Sequence, residues 1–257
     1  MASCCWQCST PVVKQQLTIL PFDKGPSHQH RSLQVLHRHW RAPNYECAAG
    51  RRVQAIASSI TSPHSSSSKE AQALSSVTIL STDGSPVQFQ QLWDQKNGMA
   101  VVAFLRHFGC PMCWEFAASL RDVKPKLDAA GVKLVAIGVG TPDKARILAE
   151  KLPFPKENLY ADPERKAYDA LGLYYGLGRT FFNPASAKVL SRLDTIRKSL
   201  KGYTPDATPD DRSSVLQQAS LLIFKGTQML YFRKDEGTGD HASLEDIQNV
   251  CCSTAVS

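Results

Sequence analysis

The stretch FLRHFGCPMCWEF, residues 104–116, decides the fold because it holds a CxxC pair between a predicted strand and a predicted helix. A short, wholly apolar run over residues 99–105 precedes the pair, and such runs form strands that are covered on both faces. After the pair, apolar residues recur at spacings of four, three and four: Phe116, Leu120, Val123 and Leu127. This spacing marks one face of a helix that ends near Gly131. The two cysteines, Cys110 and Cys113, are therefore predicted at a strand-to-helix turn.

The rest of the body continues the alternation of strands and helices. The predicted segments, in chain order, are a hairpin over 77–89, a strand over 132–140, a helix from Thr141 and Pro142, a strand and short helix over 159–173, a helix over 184–201, a loop over 202–214, a hairpin over 220–233 and a helix over 243–251. This order predicts an α/β protein and resembles that of the thioredoxin-like fold. We expect a mixed central sheet flanked by helices, with an inserted helix and loop before the C-terminal β-hairpin.

Two connecting segments of the body are predicted to be solvated. Residues 202–214 are dense in Pro, Asp and Ser, so we expect this loop to be mobile and to lie outside the core. Residues 233–242, RKDEGTGDHA, favour a solvated connector, with a rim that contacts the site or a partner as the alternative.

The predicted turn gives Cys110 and Cys113 different chemistry. Cys110 would lie at a helix N-terminus, where unpaired N–H groups and the helix dipole favour a thiolate. Pro111 in the first turn costs nothing, because its nitrogen has no helical partner. Cys113 lies one turn later and suits a thiol that resolves an adduct into an internal disulfide. The carboxyl edge of the sheet, where this turn falls, is where open α/β sheets place their sites.

Arg106 and His107 come directly before this turn and have two interpretations. They are either solvent-exposed residues at a strand end, or positive charges that act on the sulfur of Cys110.

Two other interpretations of the CxxC pair stay open. A zinc site would need two more ligands, but Cys251 and Cys252 are adjacent, His241 stands alone, and no second CxxC occurs. The pair would otherwise be two buried thiols without chemistry. Redox chemistry is favoured over both, and neither a metal nor a cofactor is expected.

The N-terminal segment differs in composition from the body. Residues 1–62 hold seven Lys/Arg and two acids, which is +5 of the formal net charge of +7 in a chain of 257 residues. This acid-poor, Ser- and Arg-rich composition predicts a chloroplast transit peptide over residues 1–60, with a mitochondrial address or a disordered basic tail as the alternatives. A disordered linker over 61–75 and a domain over 76–252 would follow. The body is nearly balanced in charge, so no nucleic-acid partner is expected, and without 18 successive apolar residues no membrane span is expected.

Four segments resemble a known family: VVAFLRHFGCPMCWEFAASL, GVKLVAIGVG, LYADPERKAYDALGL and YFRKDEGTGDHASLEDIQNVCC. They are similar to the peroxiredoxin-like 2 family and to its plastid form in plants, over roughly residues 77–252. Members carry a domain of the alkyl hydroperoxide reductase/thiol-specific antioxidant type.

The resemblance implies a thiol-dependent antioxidant oxidoreductase of the chloroplast, in the stroma. Cys110 would be the attacking thiol and Cys113 the resolving thiol. The substrate would be a peroxide, a lipid endoperoxide or a disulfide, and the electron donor would be of thioredoxin type. The alternative is a non-catalytic protein of the chloroplast that senses oxidation through the dithiol and changes its binding.

Overall fold

A computed structural model describes residues 66–184, 189 and 193–254. Within these residues, seven strands form one mixed sheet. The strands are β1 (Thr78–Ser81), β2 (Pro86–Gln88), β3 (Met99–Leu105), β4 (Val132–Gly138), β5 (Leu159–Ala161), β6 (Ser220–Lys225) and β7 (Gln228–Lys234). Their order across the sheet is β2-β1-β5-β4-β3-β6-β7, which is a thioredoxin-like arrangement and confirms the predicted fold class.

Strand β3 lies at the centre of this sheet. It runs parallel to β4, with Val101 opposite Leu134, and antiparallel to β6, with Val101 opposite Ile223. Every residue of β3 after Met99 is buried. This explains its continuous apolar sequence, since a strand covered on both faces has no solvent side.

Helices cover both faces of the sheet in the described residues. They are α1 (Ser66–Ser75), α2 (Pro111–Ala129), α3 (Pro142–Lys151), α4 (Lys166–Ala170), α5 (Leu177–Phe181), α6 (Leu193–Ser199) and α7 (Leu244–Thr254). Val101, Ala103 and Leu105 of β3 join a core with α2, α3 and α7. The alternate residues Ala100, Val102 and Phe104 join a second core with α1 and α4. The two-residue period of β3 thus divides the interior into two layers.

The two predicted hairpins form, each close to its expected turn. Strands β1 and β2 pair antiparallel around Asp83 and Gly84, and β6 and β7 pair antiparallel around Gly226. Gly226 has φ of +57°, a conformation that side chains with a Cβ rarely adopt. The turn therefore lies where the glycine is, one residue later than the predicted pair Lys225-Gly226.

Residues 66–75 differ from the predicted disordered linker over 61–75. They form α1, and Leu74 near its C-terminal end is fully buried in the second core. The sequence did not predict this helix, because the segment is rich in serine and a single buried leucine gives only a weak helical periodicity. Residues 61–65, like the predicted transit peptide over 1–60, lie outside the described residues.

The inserted helix is shorter than the predicted helix over 184–201. Helix α6 covers Leu193–Ser199, and Ile196 is its buried residue. Pro184 and Val189 each have 3-10 rather than α-helical geometry, so one continuous helix from 184 does not form. Residues 185–188 and 190–192 lie outside the described residues.

The loop over 202–214 does not lie outside the core, contrary to prediction. It contains a 3-10 turn at Pro205–Ala207 and leads into another at Arg212–Leu216. The side chains of Thr204 and Asp211 accept N–H hydrogen bonds that begin these turns. Ala207 is 0% exposed and belongs to the α2 core. The Thr and Asp residues of this loop therefore close local turns and do not signal disorder.

No helix in the described residues is both long enough and apolar enough to cross a membrane.

Candidate active site

Helix α2 positions both cysteines at the carboxyl end of β3. Cys110 is the N-cap residue of α2, with extended backbone angles of φ −82° and ψ 119°. Its carbonyl accepts the N–H of Trp114 at 3.1 Å, and Pro111 occupies the first helical position. Cys113 follows one turn later. Both are thiols in the structure, and they are deeply buried, with exposed fractions of 1% for Cys110 and 0% for Cys113.

The chain between β3 and α2 makes a tight turn that is fixed by packing on β4. The N–H of Cys110 donates to the carbonyl of His107 at 3.2 Å, and the indole of Trp114 donates to the carbonyl of Phe108. The ring of Phe108 lies directly on Gly138, where a Cβ would come within 2.8 Å of the ring carbon Cδ1. Only a glycine at the end of β4 leaves room for the Phe108 ring, and so for this turn, in the observed position.

Arg106 connects the two cysteines to a distant part of the chain. Its Nη1 lies 3.4 Å from the sulfur of Cys110, and its backbone N–H donates to the sulfur of Cys113 at 3.2 Å. Nε donates to the carbonyl of Gln217 at 2.9 Å, and Nη2 donates to the carbonyl of Val215 at 2.6 Å. Arg106 is only 5% exposed. The interpretation of Arg106 as a solvent residue is therefore wrong, and its fixed guanidinium acts on Cys110.

These contacts move the pKa values of the two thiols in opposite directions. The pKa of Cys110 is held well below its usual value, and the largest cause is the hydrogen bond that the Cys113 thiol donates. Burial opposes this effect and raises the pKa, whereas the charge of Arg106 lowers it. His107 and the backbone N–H of Cys113 lower the pKa further. Burial and that same hydrogen bond raise the pKa of Cys113 well above its usual value. Cys110 is thus the thiolate of the pair, and Cys113 keeps its proton.

His107 is also buried, with 6% of its surface exposed, so its interpretation as a solvent residue is wrong as well. Burial lowers its pKa most, the nearby Cys110 raises it less strongly than burial lowers it, and the charge of Arg106 lowers it further. At neutral pH the ring is therefore neutral, and Arg106 supplies the standing positive charge beside Cys110.

The loop over 202–214 covers the first turn of α2. The hydroxyl of Tyr203 donates to the carbonyl of Gly109 at 2.9 Å, and its ring packs edge-on against Trp114 at 5.1 Å. Gly109 lies so close to Thr208 that a Cβ would come within 2.6 Å of the Thr208 Cα. Sequence reasoning missed this cover, because Tyr203 and Gly109 are far apart in the chain and no local pattern joins them.

The connector over 233–242 contributes the rim of the site. A Cβ on Gly239 would lie 3.3 Å from Cγ of Met112, the residue before Cys113. Behind this contact, Arg233 lies 2.9 Å from Asp240, and His241 lies 2.7 Å from Asp235, whose side chain is buried. The alternative prediction of a rim is therefore the correct one for this segment, and the solvated connector is wrong.

Among the described residues, no three His, Cys, Asp or Glu side chains form a group that could hold a metal ion.

Comparisons with known proteins agree with this architecture. A family model described as "AhpC/TSA antioxidant enzyme" matches residues 119–237, a range that begins after Cys113. The chain is 35% identical over 209 residues to "Thioredoxin-like protein AAED1, chloroplastic" from Arabidopsis thaliana, covering 79% of this chain and 82% of that protein. It is 33% identical over 173 residues to "Prostamide/prostaglandin F synthase" from Salmo salar, covering 66% of this chain and 81% of that protein.

A solved structure to which the chain is similar has low sequence identity to it. It is the peroxidoxin BcpB from Mycobacterium tuberculosis, which is 16% identical, with a TM-score of 0.47 over 69% of this chain and 92% of that chain.

Proposed function

Because the chain belongs to the AhpC/TSA antioxidant enzyme family, we propose that it is a thiol-dependent antioxidant oxidoreductase that acts through Cys110 and Cys113. The observation that carries this proposal is the position of the Cys110 sulfur, which lies 3.4 Å from Nη1 of Arg106 and one helical turn before Cys113. These surroundings lower the pKa of Cys110 and raise the pKa of Cys113. A nucleophilic thiolate and a nearby proton-bearing thiol are the two groups that a dithiol reductase requires.

The first step is attack by the Cys110 thiolate on one oxygen of a peroxide. The S–O bond forms as the O–O bond breaks, so the sulfur is oxidised to a sulfenic acid and the peroxide is reduced. The other oxygen leaves and takes a proton from water, which gives an alcohol. With a disulfide substrate, the same attack gives a mixed disulfide and releases a thiolate.

The second step uses Cys113 as the resolving thiol. Its sulfur attacks the sulfur of Cys110, an S–S bond forms, and the hydroxyl of the sulfenic acid leaves as water with the Cys113 proton. The raised pKa of Cys113 suits this order, because it keeps that proton in place until Cys110 has been oxidised. A dithiol donor of thioredoxin type then returns the internal disulfide to two thiols by exchange.

The substrate class and location rest on the relatives. A relative named prostamide/prostaglandin F synthase supports a lipid endoperoxide beside simple peroxides and disulfides. A relative named as chloroplastic supports the chloroplast, and we place the protein in the stroma. No cofactor takes part in the proposed chemistry.

A coupled assay tests the proposal. The full chain is supplied with thioredoxin, thioredoxin reductase and NADPH, and NADPH consumption is followed against a panel of peroxides, endoperoxides and disulfides. We expect saturable turnover with at least one substrate, its loss in Cys110→Ser, and its retention in the control Cys251→Ser/Cys252→Ser. A wild type that is oxidised once but never turns over would contradict the enzyme assignment.

The second candidate is a redox-sensing interaction protein without turnover. The burial of both thiols beneath Tyr203 and Thr208 favours it, since a covered dithiol meets a bulky substrate slowly. For a sensor, one equivalent of peroxide would form the internal disulfide and change binding, but thioredoxin would not support repeated reduction.

A further inference from the structure

His107 is a buried residue, and one of its ring nitrogens makes no hydrogen bond with the described residues. Its ring nitrogen Nδ1 is buried and has no hydrogen-bond partner in the described part of the chain. Buried polar atoms without partners are rare in native structures, and each one needs an explanation. The other described buried imidazole, that of His241, also has an unpartnered nitrogen, Nε2, but its Nδ1 is held by Asp235 at 2.7 Å and its ring stacks on Phe116. The described residues provide no such hydrogen bond to Nδ1 of His107.

His107 is also close to the reacting sulfur. Its backbone carbonyl accepts the N–H of Cys110, and the side chains of His107 and Cys110 alter each other's pKa. The ring of His107 is therefore close enough to Cys110 for the charges of the two side chains to interact.

Most of the other donors around Cys110 are already engaged. Arg106 uses three of its five N–H donors: Nε on the carbonyl of Gln217, one N–H of Nη2 on the carbonyl of Val215, and one N–H of Nη1 on the sulfur itself. The N–H of Cys110 is taken by the carbonyl of His107, and both donors of Cys113 act on the Cys110 sulfur. These groups stabilise the thiolate before reaction. The second peroxide oxygen, where negative charge develops as the O–O bond breaks, needs a further hydrogen-bond donor.

We propose that the imidazole of His107 donates a hydrogen bond to the leaving oxygen of the peroxide while the sulfur of Cys110 attacks the other oxygen. This inference rests on the proposed function and assigns a catalytic residue to it. The ring is neutral at neutral pH, so it carries one N–H and can donate without first binding a proton. A neutral imidazole polarises an oxygen in this way without bringing a second full charge next to Arg106.

The step balances without another reactant. The sulfur of Cys110 loses two electrons and gains the hydroxyl as a sulfenic acid. The peroxide gains those electrons, and its second oxygen departs as an alkoxide that is hydrogen bonded to His107. Water then supplies the proton that converts the alkoxide to an alcohol, and the imidazole is unchanged.

A comparison of leaving groups tests the assignment. Single-turnover oxidation of Cys110 is measured by quench and mass spectrometry in the full chain carrying Cys113→Ser, with an alkyl hydroperoxide and with peracetic acid. An alkoxide is a poor leaving group and needs the donor, whereas acetate leaves as a stable anion. We expect His107→Leu to slow the hydroperoxide roughly 100-fold, as for the loss of one donor to a developing oxyanion. Peracetic acid should slow by less than about threefold, since it gains little from the donor.

Two further variants separate this role from a structural one. His107→Gln keeps an N–H donor and should recover part of the hydroperoxide rate. His241→Gln removes the other buried imidazole beside α2 and should change both oxidants by the same factor. If His107→Leu does not fold, His107→Ala removes the donor with a smaller side chain and carries the same expectation.

The outcomes distinguish this inference from the proposed function. Equal slowing of both oxidants in His107→Leu, or no slowing, would overturn the role of His107 and leave the reactivity of Cys110 standing. A wild type whose Cys110 reacts with neither oxidant would overturn the proposed function itself.

Discussion

At the scale of single residues, two cysteines in one helical turn differ because one donates a hydrogen bond and the other accepts it. Both are buried, and burial alone would raise the pKa of each. The Cys113 thiol donates to Cys110, so the negative charge collects on the sulfur that also faces Arg106. Cys110 is therefore the thiol that attacks the substrate, and Cys113 is the thiol that keeps its proton.

We predict that Cys113→Ala weakens the thiolate of Cys110. The hydrogen bond from Cys113 is the largest cause of the lowered pKa, so its loss moves that pKa upward. Because a thiolate is lost as the pH falls through its pKa, alkylation of Cys110 should fall off at a higher pH in the variant. A hydrogen bond to a charged group contributes about 1.5–3 kcal/mol, so the rate on the acidic limb should drop at least about tenfold.

Cys113→Ser is the matched control for that experiment, because its hydroxyl still donates. Its alkylation profile against pH should lie between those of Cys113→Ala and the wild type. Coincident profiles for all three proteins would mean that Cys113 does not hold the Cys110 thiolate.

The sequence predicts part of this chemistry and not the rest. The place of Cys110 at a helix N-terminus follows from the apolar run before it and the periodic residues after it, which are local signals. The role of Arg106 depends on the carbonyls of Gln217 and Val215, more than 100 residues away in the chain. Whether a strand-end arginine points to solvent or to a thiol is decided by such distant acceptors, and no local pattern contains them.

At the scale of elements, the loop over 202–214 controls access to the thiols. It is tied to the turn before α2 by the Tyr203 hydroxyl on Gly109 and by the close approach of Thr208. Lys144 of α3 also donates to the carbonyl of Asp206 in this loop at 2.9 Å. Since Cys110 is almost wholly buried, a substrate reaches it only when this cover moves.

We predict that Tyr203→Phe makes Cys110 more accessible. The substitution removes one hydrogen bond between the loop and Gly109 and keeps the ring contact with Trp114. A hydrogen bond contributes about 0.5–1.5 kcal/mol, so alkylation of Cys110 at a pH above its pKa should quicken about 2- to 10-fold. Tyr160→Phe, which removes a hydroxyl from an exposed contact with Glu157, is the control and should leave the rate unchanged. An unchanged rate in Tyr203→Phe would show that the loop is not the barrier.

We predict that Gly109→Ala destabilises the protein. A Cβ would come within 2.5 Å of the backbone nitrogen of Thr208, and backbone atoms cannot rotate aside as a side chain can. Such overpacking costs about 1–3 kcal/mol of unfolding free energy, which urea denaturation measures. Gly178→Ala in α5 is the control, because nothing lies within 4 Å of its added Cβ. That variant should be neutral, or more stable by up to about 1 kcal/mol; equal losses in both variants would contradict the close packing at Gly109.

The elements that the sequence predicts well are those with a strong period or a continuous apolar run. Strand β3 and helix α2 are of this kind, and the structure confirms both. The loop over 202–214 was wrongly placed outside the core, because its residue in the α2 core is the small Ala207, and the hydrogen-bond partner of its half-buried Tyr203, Gly109, is distant in the chain. Helix α1 was missed for a similar reason, since its main buried side chain is Leu74 alone.

At the scale of the whole molecule, the charge is unevenly distributed along the chain. Five of the seven net positive charges fall within residues 1–62, before the first described element, α1. We therefore propose that residues 1–60 are an import signal and that the thioredoxin-like domain is the working part.

We predict that residues 1–60 direct a fluorescent protein into plastids, because the segment is acid-poor and rich in Arg and Ser. The control is a fusion of residues 61–257, which should stay in the cytosol. Mass analysis of the plastid protein should find an N-terminus near residue 60. Cytosolic fluorescence from the first fusion, or a mature protein that still begins at Met1, would contradict this division of the chain.

The central claim is that Cys110 attacks and Cys113 resolves, and peptide mapping of the oxidised protein tests it most directly. The full chain carrying Cys251→Ser/Cys252→Ser is treated with one equivalent of peroxide, blocked with an alkylating agent, and mapped by mass spectrometry without reduction. We predict one intramolecular disulfide between Cys110 and Cys113, and a sulfenic acid on Cys110 when Cys113 is replaced by Ser. Oxidised protein without that disulfide would contradict these roles of Cys110 and Cys113. So would a Cys110→Ser variant in which Cys113 forms a sulfenic acid at a rate comparable to that of Cys110.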